Sequence, residues 1–509
     1  MLFASVTSAT IAGIEGVLVR VEVDVSGGLP GLEIVGLADI SVREARQRVR
    51  SALHNSGFDL PSRRITVNLA PAALHKEGSQ MDLGIAAGVL AASGQVPAGH
   101  RLQDYCFLGE LALDGNVRPV KGVLAMALAA RDGGKAGIVV PEDNEAEVSF
   151  LRGVDARMGR DLAGLASFLQ GKTDLPVVSR NRPARPRETA SAVDLSEIRG
   201  QKAAKRAIEV ACAGGHNLLL SGPPGAGKSM LARAIPGILP DLTPEESLAV
   251  TMIYSVAGIL PPGEGLLTSR PFRAPHHTVT ASALVGGGPA PRPGEVTLAH
   301  RGVLFLDELP EFPPSVLNAL RQPLEDGVAV VTRSRATHTF PSRFLLVAAM
   351  NPCPCGYYGD DLKECTCTEH ARKQYVSRVS GPFLDRLDIH LEVGRVAAGD
   401  LTAAGGESSL EVRERICEAR KRQERRLAGT GMTCNGEMGA KEVAALVTLS
   451  AAARKLVFDA FTRLKLSARA YYRVLKVASS IADLEGSPRV EEEQVAEAVS
   501  YRQRLSGEW

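Results

Sequence analysis

Two short segments near the start of the chain alternate apolar and polar residues. They read VLVRVEVDV at residues 17–25 and RRITVNLAP at residues 63–71. A period of two is typical of a strand that packs one face on a core and leaves the other face in water. Residues 41–57 and 81–94 instead repeat their apolar positions with helical spacing, and each run ends at a glycine. The pattern therefore predicts an α+β domain in the first third of the chain.

This pattern breaks at residues 176–190, PVVSRNRPARPRETA, where proline and arginine alternate and no apolar period survives. Such a composition is typical of an extended linker. An apolar strand, a glycine-rich loop and a helix follow Leu195, and from about Ala397 the chain changes to helices with apolar stripes. We therefore predict a multidomain α/β protein with an α+β domain at 1–175, a linker at 176–194, an α/β core at 195–396 and a helical domain at 397–509.

The composition is that of an ordinary globular protein and excludes a strong global preference for a charged partner. Of the 509 residues, 45% are hydrophobic and 23% are charged, and the formal net charge is +2. Any nucleic-acid surface must therefore be local. The N-terminus has no basic segment ahead of an apolar run, and no apolar stretch approaches about eighteen residues. These features predict a cytoplasmic protein with no membrane partner.

A phosphate-binding signature occupies residues 217–235, NLLLSGPPGAGKSMLARAI. Gly222, Gly227, Lys228 and Ser229 match the spacing G-x-x-x-x-G-K-S between a strand and a helix. In such a loop the backbone N–H groups surround phosphates, the lysine reaches the β and γ oxygens, and the serine hydroxyl holds Mg²⁺. We predict that ATP binds here, with contacts from Gly222, Pro223, Pro224, Gly225, Ala226, Gly227, Lys228, Ser229 and Met230.

Two later apolar strands end in polar residues that would complete a hydrolytic site. The segment GVLFLDELPEF ends its apolar run at Asp307 and Glu308, and the segment FLLVAAMN ends at Asn351. Asp307 can hold the magnesium ion together with Ser229, and Glu308 can polarise the attacking water. Asn351 is placed to sense the γ-phosphate and orient that water. We therefore predict that these three residues act with Lys228 in ATP hydrolysis.

The order of these motifs, followed by SGPFLDRLDIH at 380–390 and a helical segment, resembles the AAA+ ATPases, and specifically their magnesium-chelatase-like branch. The string RPFRAPHHT at 270–278 further resembles the ComM/YifB family. The resemblance implies that Arg386 is a catalytic finger that enters the neighbouring subunit's site. It also implies that Arg469, in preference to Arg473, contacts the nucleotide from the helical lid. A finger acting in trans implies a ring, which in this family is a hexamer. An ion pair at the rim of a core is the alternative role for these arginines.

The same resemblance implies the substrate. It implies a DNA helicase that promotes branch migration during natural transformation, so DNA is the expected partner. Residues 328–340, VAVVTRSRATHTF, alternate and reverse around Ser334, which predicts a β-hairpin with Arg333 and Arg335 at its tip. Arginine at a phosphate backbone needs no sequence readout, which suits a motor that tracks any DNA. A solvated hairpin tip is the alternative.

The first third of the chain resembles the Lon-protease domain in the segments HKEGSQMDLGIAAGVLAASG and LGELALDGNVRPVKGVLAMALAA. In that family the first motif supplies a nucleophilic serine and the second a lysine base. Here Gln80 and Leu124 occupy those positions, and Ser79 and Lys121 are displaced from them. Because a Ser–Lys dyad needs both groups within hydrogen-bond reach, the resemblance implies the fold without proteolysis. An ATP-dependent protease and a chelatase-type motor that remodels a protein partner are the alternative functions.

Four of the eight cysteines lie within fifteen residues, in the order C-x-C-x₉-C-x-C directly after Asn351. Four thiolates are enough for a closed tetrahedral zinc site. Reduced structural thiols and two disulfides are the alternatives, and disulfides are rare in a reducing compartment. By contrast, His276 and His277 have no acidic or cysteine partner at ligand spacing, and we expect them to have a structural or channel-facing role. We predict that structural Zn²⁺ is held by Cys353, Cys355, Cys365 and Cys367.

Overall fold

The computed structural model of the chain describes residues 2–37, 39–179, 193–288, 291–332, 337–397, 399, 406–464 and 467–502. The chain forms two units. We call Met1–Pro186 together with Pro244–Thr268 the N-terminal unit, and Arg187–Thr243 together with Ser269–Trp509 the nucleotide unit. Among the described residues, none of the helices combines the length and the apolar composition that crossing a membrane requires.

The N-terminal unit alternates strands with short helices. Its elements up to the linker are β1 (Phe3–Ala12), β2 (Glu15–Ser26), β3 (Gly31–Val35), α1 (Ile40–Asn55), β4 (Arg64–Ala70), α2 (Asp82–Ala92), α3 (His100–Asp104), β5 (Tyr105–Phe107), β6 (Glu110–Leu111), β7 (Val117–Arg118), α4 (Val123–Asp132), β8 (Gly137–Pro141), α5 (Glu145–Val148), β9 (Asp155–Gly159) and α6 (Leu162–Leu169). Seven of the strands form a mixed sheet in the order β3-β4-β2-β1-β5-β8-β9. Strands β1, β2 and β4 are antiparallel neighbours, and the remaining pairs are parallel.

Strand β2 confirms the prediction made from the alternating pattern. Val19, Val21 and Val23 are buried in the core, whereas Arg20 and Asp24 on the opposite face are exposed. The alternation works because successive side chains of a strand point to opposite faces of the sheet. The two predicted helices also form, as α1 and α2. The side chain of Asp39 caps the first of them by accepting a hydrogen bond from the N–H of Val42 at 2.7 Å.

The nucleotide unit combines a parallel sheet with C-terminal helices. The elements that follow the linker are α7 (Lys202–Gly214), β10 (Leu218–Ser221), α8 (Lys228–Ile238), α9 (Pro244–Ala257), β11 (Phe272–Arg273), α10 (Ala281–Val285), β12 (Gly286–Gly287), β13 (Arg292–Pro293), α11 (Glu295–Leu298), β14 (Val303–Leu306), α12 (Pro314–Ala319), α13 (Arg321–Asp326), β15 (Val328–Thr332), β16 (Thr337–Pro341), β17 (Leu345–Met350), α14 (Glu369–Ser377), α15 (Gly381–Leu384), β18 (Ile389–Glu392), α16 (Ser409–Leu427), α17 (Ala440–Leu446), α18 (Ala451–Arg463), α19 (Ala468–Glu485) and α20 (Glu492–Ser500). Of these, α9 belongs to the N-terminal unit.

Five parallel strands in the order β11-β14-β17-β10-β18 form the sheet of the nucleotide unit. The sheet and the C-terminal helices share one hydrophobic core, in which Leu218 of β10, Ile235 of α8 and Ile416 of α16 are fully buried. The buried face of α19 is the apolar stripe expected from the sequence, formed by Ala470, Val474, Val477, Ala478 and Ile481. Leu466, which the sequence placed on the same stripe, lies outside the described residues.

The segment Pro244–Thr268 packs with the N-terminal unit, although the sequence pattern assigned it to the 195–396 core. The apolar side of α9 lies on the hydrophobic cluster around α4. Beside it, the buried carboxylate of Glu147 accepts hydrogen bonds from the N–H of Leu124 at 2.9 Å and from the hydroxyl of Ser255. Burial raises the pKa of Glu147. The apolar period of α9 indicates that one face is buried, but it carries no information about which domain buries that face.

The described ends of the predicted linker contact the residues next to them in the fold. Val178 is buried, and Val177 forms an antiparallel bridge with Arg157. At the other end, Asp194 caps a short turn at Leu195–Glu197. Residues 180–192, the centre of the predicted linker, lie outside the described residues.

Candidate nucleotide site

The glycine loop joins β10, an inner strand of the parallel sheet, to the first turn of α8. Gly225 and Gly227 have φ values of +79° and +87°, in the left-handed region that glycine adopts without strain. A Cβ atom on Gly222 would lie 2.1 Å from the carbonyl oxygen of Val393, so this position also excludes a side chain. The loop therefore needs glycine both for its turns and for its close approach to the backbone that follows β18.

Lys228 begins α8, and its ammonium lies against the loop. Its side chain is buried, and Nζ donates hydrogen bonds to the carbonyl oxygens of Gly222 at 2.6 Å and Pro223 at 3.0 Å. Nζ also lies 3.1 Å from Oδ1 of Asn351, which follows β17. Burial lowers the pKa of Lys228, and the nearby carboxylate of Asp307 acts in the opposite direction. The structure thus brings together the lysine and the asparagine that the sequence predicted as partners at one site.

Ser229 and Asp307 meet at the same edge of the sheet. The Ser229 hydroxyl donates a hydrogen bond of 2.7 Å to Oδ2 of Asp307, which follows β14. Hydroxyl and carboxylate oxygens are ligands that Mg²⁺ prefers, so this pair has the chemistry of a magnesium site. The adjacent Glu308 is exposed and has φ of +52°, an uncommon conformation for a residue with a side chain. Strained backbone of this kind is often found at functional sites.

His277 lies beside Glu308, a contact that the sequence analysis missed. Its Nδ1 atom is 3.4 Å from Oε2 of Glu308. The imidazole is held from two sides, because it contacts the tilted ring of His276 at a centroid distance of 4.0 Å and meets the ring of Phe312 edge-on. The acidic partner is 31 positions away in sequence, so a search at local ligand spacing could not find it. The parallel pairing of β11 with β14 explains the contact, because His277 follows β11 and Glu308 follows β14 in the same sheet.

Arg386 is buried, with 5% of its side chain exposed, and it is paired within its own chain. Its guanidinium donates hydrogen bonds to the carboxylate of Glu325 on α13 and to the carbonyl oxygen of Pro382. Burial lowers the pKa of Arg386, and the positive charges of Arg469 and Arg473 act in the same direction. Arg386 and Arg469, the two arginines predicted for the catalytic cycle, are therefore close enough for their charges to interact, and Arg473 lies close to Arg386 as well.

The two lid arginines differ in their partners. Nε of Arg473 lies 3.6 Å from Oδ1 of the buried Asp388, whereas Arg469, on the first turn of α19, is exposed. Arg473 is thus committed to a structural ion pair, and Arg469 is the accessible one of the two. This difference agrees with the preference for Arg469 as the nucleotide contact, which stays a prediction.

The predicted hairpin forms its two strands. β15 and β16 pair antiparallel, from Val328 opposite Pro341 to Thr332 opposite Thr337. Arg333 and Arg335, predicted to contact DNA, lie outside the described residues, as do the two residues beside them at the tip. Their role stays a prediction.

The Lon-like motifs hold groups that do not form a Ser–Lys dyad. Gln80 is buried and donates to the hydroxyl of Thr10 at 3.1 Å and to the carbonyl oxygen of Glu77 at 2.6 Å. Leu124 is fully buried, and the Ser79 hydroxyl is hydrogen-bonded to the carboxylate of Glu110. The Ser79 hydroxyl thus contacts a carboxylate, while Leu124 occupies the lysine position of the protease motif. These contacts agree with a fold kept for another purpose than proteolysis.

The four clustered cysteines converge on one point in the nucleotide unit. Their Sγ atoms all lie within 4.8 Å of one another, and all eight cysteines of the chain are free of disulfides. Cys353 Sγ is 3.3 Å from Cys355 Sγ and 3.6 Å from Cys365 Sγ. The N–H of Cys355 is 3.4 Å from Sγ of Cys367. With a Zn–S distance of about 2.3 Å, a tetrahedral site has sulfur atoms about 3.8 Å apart, so the donor set fits zinc.

A glycine loop between an inner parallel strand and a helix, with a lysine, a serine, an aspartate and an asparagine around it, defines a P-loop nucleotide-binding core of the AAA+ class. Three family models match successive parts of the chain and leave residues 1–20, 145–193, 402–405 and 503–509 unmatched. "Subunit ChlI of Mg-chelatase" matches residues 21–144, "Magnesium chelatase, subunit ChlI" matches 194–401, and "Magnesium chelatase, subunit ChlI C-terminal" matches 406–502.

Similar proteins extend over nearly the whole chain. YifB of Escherichia coli is 44% identical over 504 residues, which are 99% of this chain and 97% of that protein. Competence protein ComM of Haemophilus influenzae is 43% identical over 511 residues, 99% of this chain and 98% of that protein. A Lon protease of Mycolicibacterium smegmatis is 27% identical over 171 residues, 31% of this chain and 21% of that protein. The chain belongs to the ComM/YifB family of magnesium-chelatase-like AAA+ proteins.

Proposed function

We propose that the chain is one subunit of a ring-forming motor that hydrolyses ATP and drives branch migration of DNA during natural transformation. The observation that carries this proposal is the 43% identity with Competence protein ComM, which extends over both units. Similarity over both units favours a shared activity for the whole chain, because a shared P-loop core alone would favour nucleotide binding only.

The proposed hydrolysis uses five side chains at one edge of the parallel sheet. Lys228 binds the β- and γ-phosphates, and Ser229 with Asp307 provides the oxygen ligands for Mg²⁺. When bound, this ion neutralises charge on the phosphates. Glu308 takes a proton from the attacking water, and Asn351, which lies 3.1 Å from Lys228 Nζ, orients that water toward the γ-phosphate. His277 holds the Glu308 carboxylate in position through the 3.4 Å contact.

The proposed ring requires Arg386 to reach a neighbouring subunit. Arg386 is 5% exposed and bonded to Glu325, so it has to leave this partner before it can contact a phosphate across an interface. A positive charge added to the transferring phosphoryl group stabilises the transition state. Arg469, which is exposed nearby, would then face the same nucleotide from the lid. Six subunits are proposed from the family.

We expect the double variant Arg333→Ala/Arg335→Ala to lose the stimulation of ATPase activity by DNA while keeping its basal activity. The reason is that these arginines would neutralise phosphates in the ring channel. For each phosphate that the variant no longer neutralises, the slope of log K against log salt should become shallower by about 0.9. Arg343→Ala is the matched control, because Arg343 is an exposed arginine just after β16 with its own partner, Glu437. Full DNA stimulation in the double variant would contradict the hairpin assignment.

The two alternative functions make different demands on the chain. A chelatase-type motor is compatible with the family names, and the model for the first third carries a chelatase name too. The presence of the N-terminal unit therefore does not distinguish a DNA motor from a chelatase-type motor. The identity with ComM, which extends over 98% of that protein, favours DNA over a protein as the partner of the motor. Proteolysis is disfavoured because Gln80 and Leu124 replace the dyad.

We further propose that Cys353, Cys355, Cys365 and Cys367 bind one structural Zn²⁺. Four protein ligands leave no open position for water, so the ion would brace the fold and take no part in hydrolysis. Metal analysis of the purified protein should give one zinc per chain, and the Cys365→Ser variant should bind it far more weakly. Cys417→Ser is the matched control, since Cys417 lies outside the cluster on α16. A purified parent protein without stoichiometric zinc would contradict the proposal.

A further inference from the structure

The six residues that follow β17, residues 351–356, contribute to both the nucleotide site and the cysteine cluster. Asn351 contacts Lys228 Nζ at 3.1 Å, and two residues later Cys353 is completely buried. A hydrogen bond of 3.0 Å from the N–H of Gly356 to the carbonyl oxygen of Cys353 closes a tight turn around Cys355. Because Asn351, Cys353 and Cys355 lie on one short segment, a displacement of the two thiols would also displace Asn351.

The same turn lies directly on the glycine loop. Gly356 has φ of +85°, and a Cβ atom there would lie 2.7 Å from Cδ and 2.8 Å from Cγ of Pro224. It would also lie 3.8 Å from Cγ of Asn351. Pro224 is one of the residues between Gly222 and Lys228 that would surround the phosphates. The backbone next to Cys355 is thus in van der Waals contact with the loop that binds nucleotide.

A second connection runs from the segment between the two cysteine pairs. Asp360, whose side chain is 2% exposed, pairs with Arg395 through bonds of 2.9 and 2.8 Å. The adjacent Gly394 carbonyl accepts a hydrogen bond of 2.6 Å from Gln201, whose amide also donates to the Ala226 carbonyl oxygen at 3.2 Å. The cysteine segment is therefore connected to the glycine loop at two points, Pro224 and Ala226.

We propose that metal binding at the four cysteines and nucleotide binding at the glycine loop are thermodynamically linked, each strengthening the other. The inference rests on the proposed zinc site. Metal fixes the four sulfur atoms in one arrangement, and that arrangement holds Gly356 against Pro224 and Asn351 beside Lys228. Linkage is reciprocal, so the factor by which metal tightens nucleotide binding is the factor by which nucleotide tightens metal binding.

The first experiment measures this reciprocity on the full-length protein. Zinc release to a chromophoric chelator is followed with and without ATPγS at constant Mg²⁺, and ATPγS affinity is measured before and after zinc removal. Coupling between two sites typically amounts to about 5- to 150-fold, so we expect ATPγS to tighten zinc binding by a factor in this range. Zinc removal should weaken ATPγS binding by the same factor. In Lys228→Ala, which should not bind ATPγS, zinc release should not respond to the nucleotide.

A pair of glycine variants tests the contact without touching a thiol. Gly356→Ala adds a Cβ atom against Pro224, whereas Gly359→Ala adds one in the same segment with φ of +76° and its nearest neighbour 3.8 Å away. Both variants share the backbone cost of a positive φ. We expect both to retain one zinc per chain, and only Gly356→Ala to lose nucleotide affinity, by at least about fivefold.

The possible outcomes distinguish a failure of the linkage from a failure of the proposed zinc site or of the proposed DNA motor. If zinc is stoichiometric, but neither ATPγS nor zinc removal changes the affinity of the other site, the linkage is wrong and the metal site stands. Equal ATPγS affinity in both glycine variants and the parent protein also overturns the linkage. A parent protein without zinc overturns the metal site and the linkage together, and leaves the proposed DNA motor untouched.

Discussion

Glu308→Gln is expected to lower the kcat of ATP hydrolysis by about 10²- to 10⁴-fold while leaving ATP binding in place. The amide cannot accept a proton from the attacking water, although it keeps the shape of the carboxylate. Lys228 and the Ser229–Asp307 pair, which would bind the phosphates and the metal ion, are unchanged in this variant. Steady-state ATPase rates together with ATPγS affinity provide the measurement.

Glu311→Gln is the matched control for this prediction. Glu311 lies three residues further on, in the short turn at Leu309–Glu311, and its exposed carboxylate pairs with Arg378 at 3.2 Å. Its loss should leave kcat close to that of the parent protein. Equal activity of Glu308→Gln and the parent protein would show that another group activates the water. Loss of ATPγS affinity in Glu308→Gln would instead assign the residue to binding.

Arg426→Met is expected to destabilise the nucleotide unit by about 3–5 kcal/mol. Arg426 on α16 donates to both carboxylate oxygens of Asp483 on α19, at 2.9 and 2.5 Å. It also donates to the amide oxygen of Asn435 at 2.9 Å. The side chain of Asp483 is 3% exposed, so the methionine would leave a buried carboxylate without its charged partner. Denaturant unfolding of the full chain, followed by circular dichroism, measures the loss.

Lys421→Met on the same helix is the matched control. Lys421 pairs with Glu418, but both side chains are largely exposed, at 60% and 59%. Exposed pairs contribute less than about 1 kcal/mol, so this variant should unfold close to the parent protein. If the two variants unfolded at the same denaturant concentration, the Arg426–Asp483 pair would have no special role in joining the lid helices.

The residues that the sequence predicted best belong to contiguous motifs. Lys228 and Ser229 follow a glycine loop whose spacing specifies its own geometry, and Asp307 and Asn351 follow apolar runs that form buried strands. Because the carboxyl ends of neighbouring parallel strands lie at one edge of a sheet, these motifs meet without further information. This is why the amino-acid sequence was enough to predict that Ser229 lies close to Asp307 and that Lys228 lies close to Asn351.

Contacts between distant segments could not be predicted in the same way. The pairing of His277 with Glu308 depends on how two strand ends align in space, and the packing of Gly356 on Pro224 depends on the path of a loop. The Arg386–Glu325 pair is a further case, since a motif match indicates a residue's role but not its resting partner. Hydrophobic periodicity has the same limit, because it identifies a buried face of α9 without identifying the domain that covers it.

Branch migration on a four-way DNA junction tests the central proposal most directly. Purified full-length protein is incubated with a labelled junction and ATP, and strand displacement is followed on a native gel. We predict ATP-dependent displacement by the parent protein, none by Glu308→Gln, and faster ATP turnover when the junction is present. If the junction neither accelerates ATP hydrolysis nor is displaced by protein that is active as an ATPase, the chain is not a DNA motor.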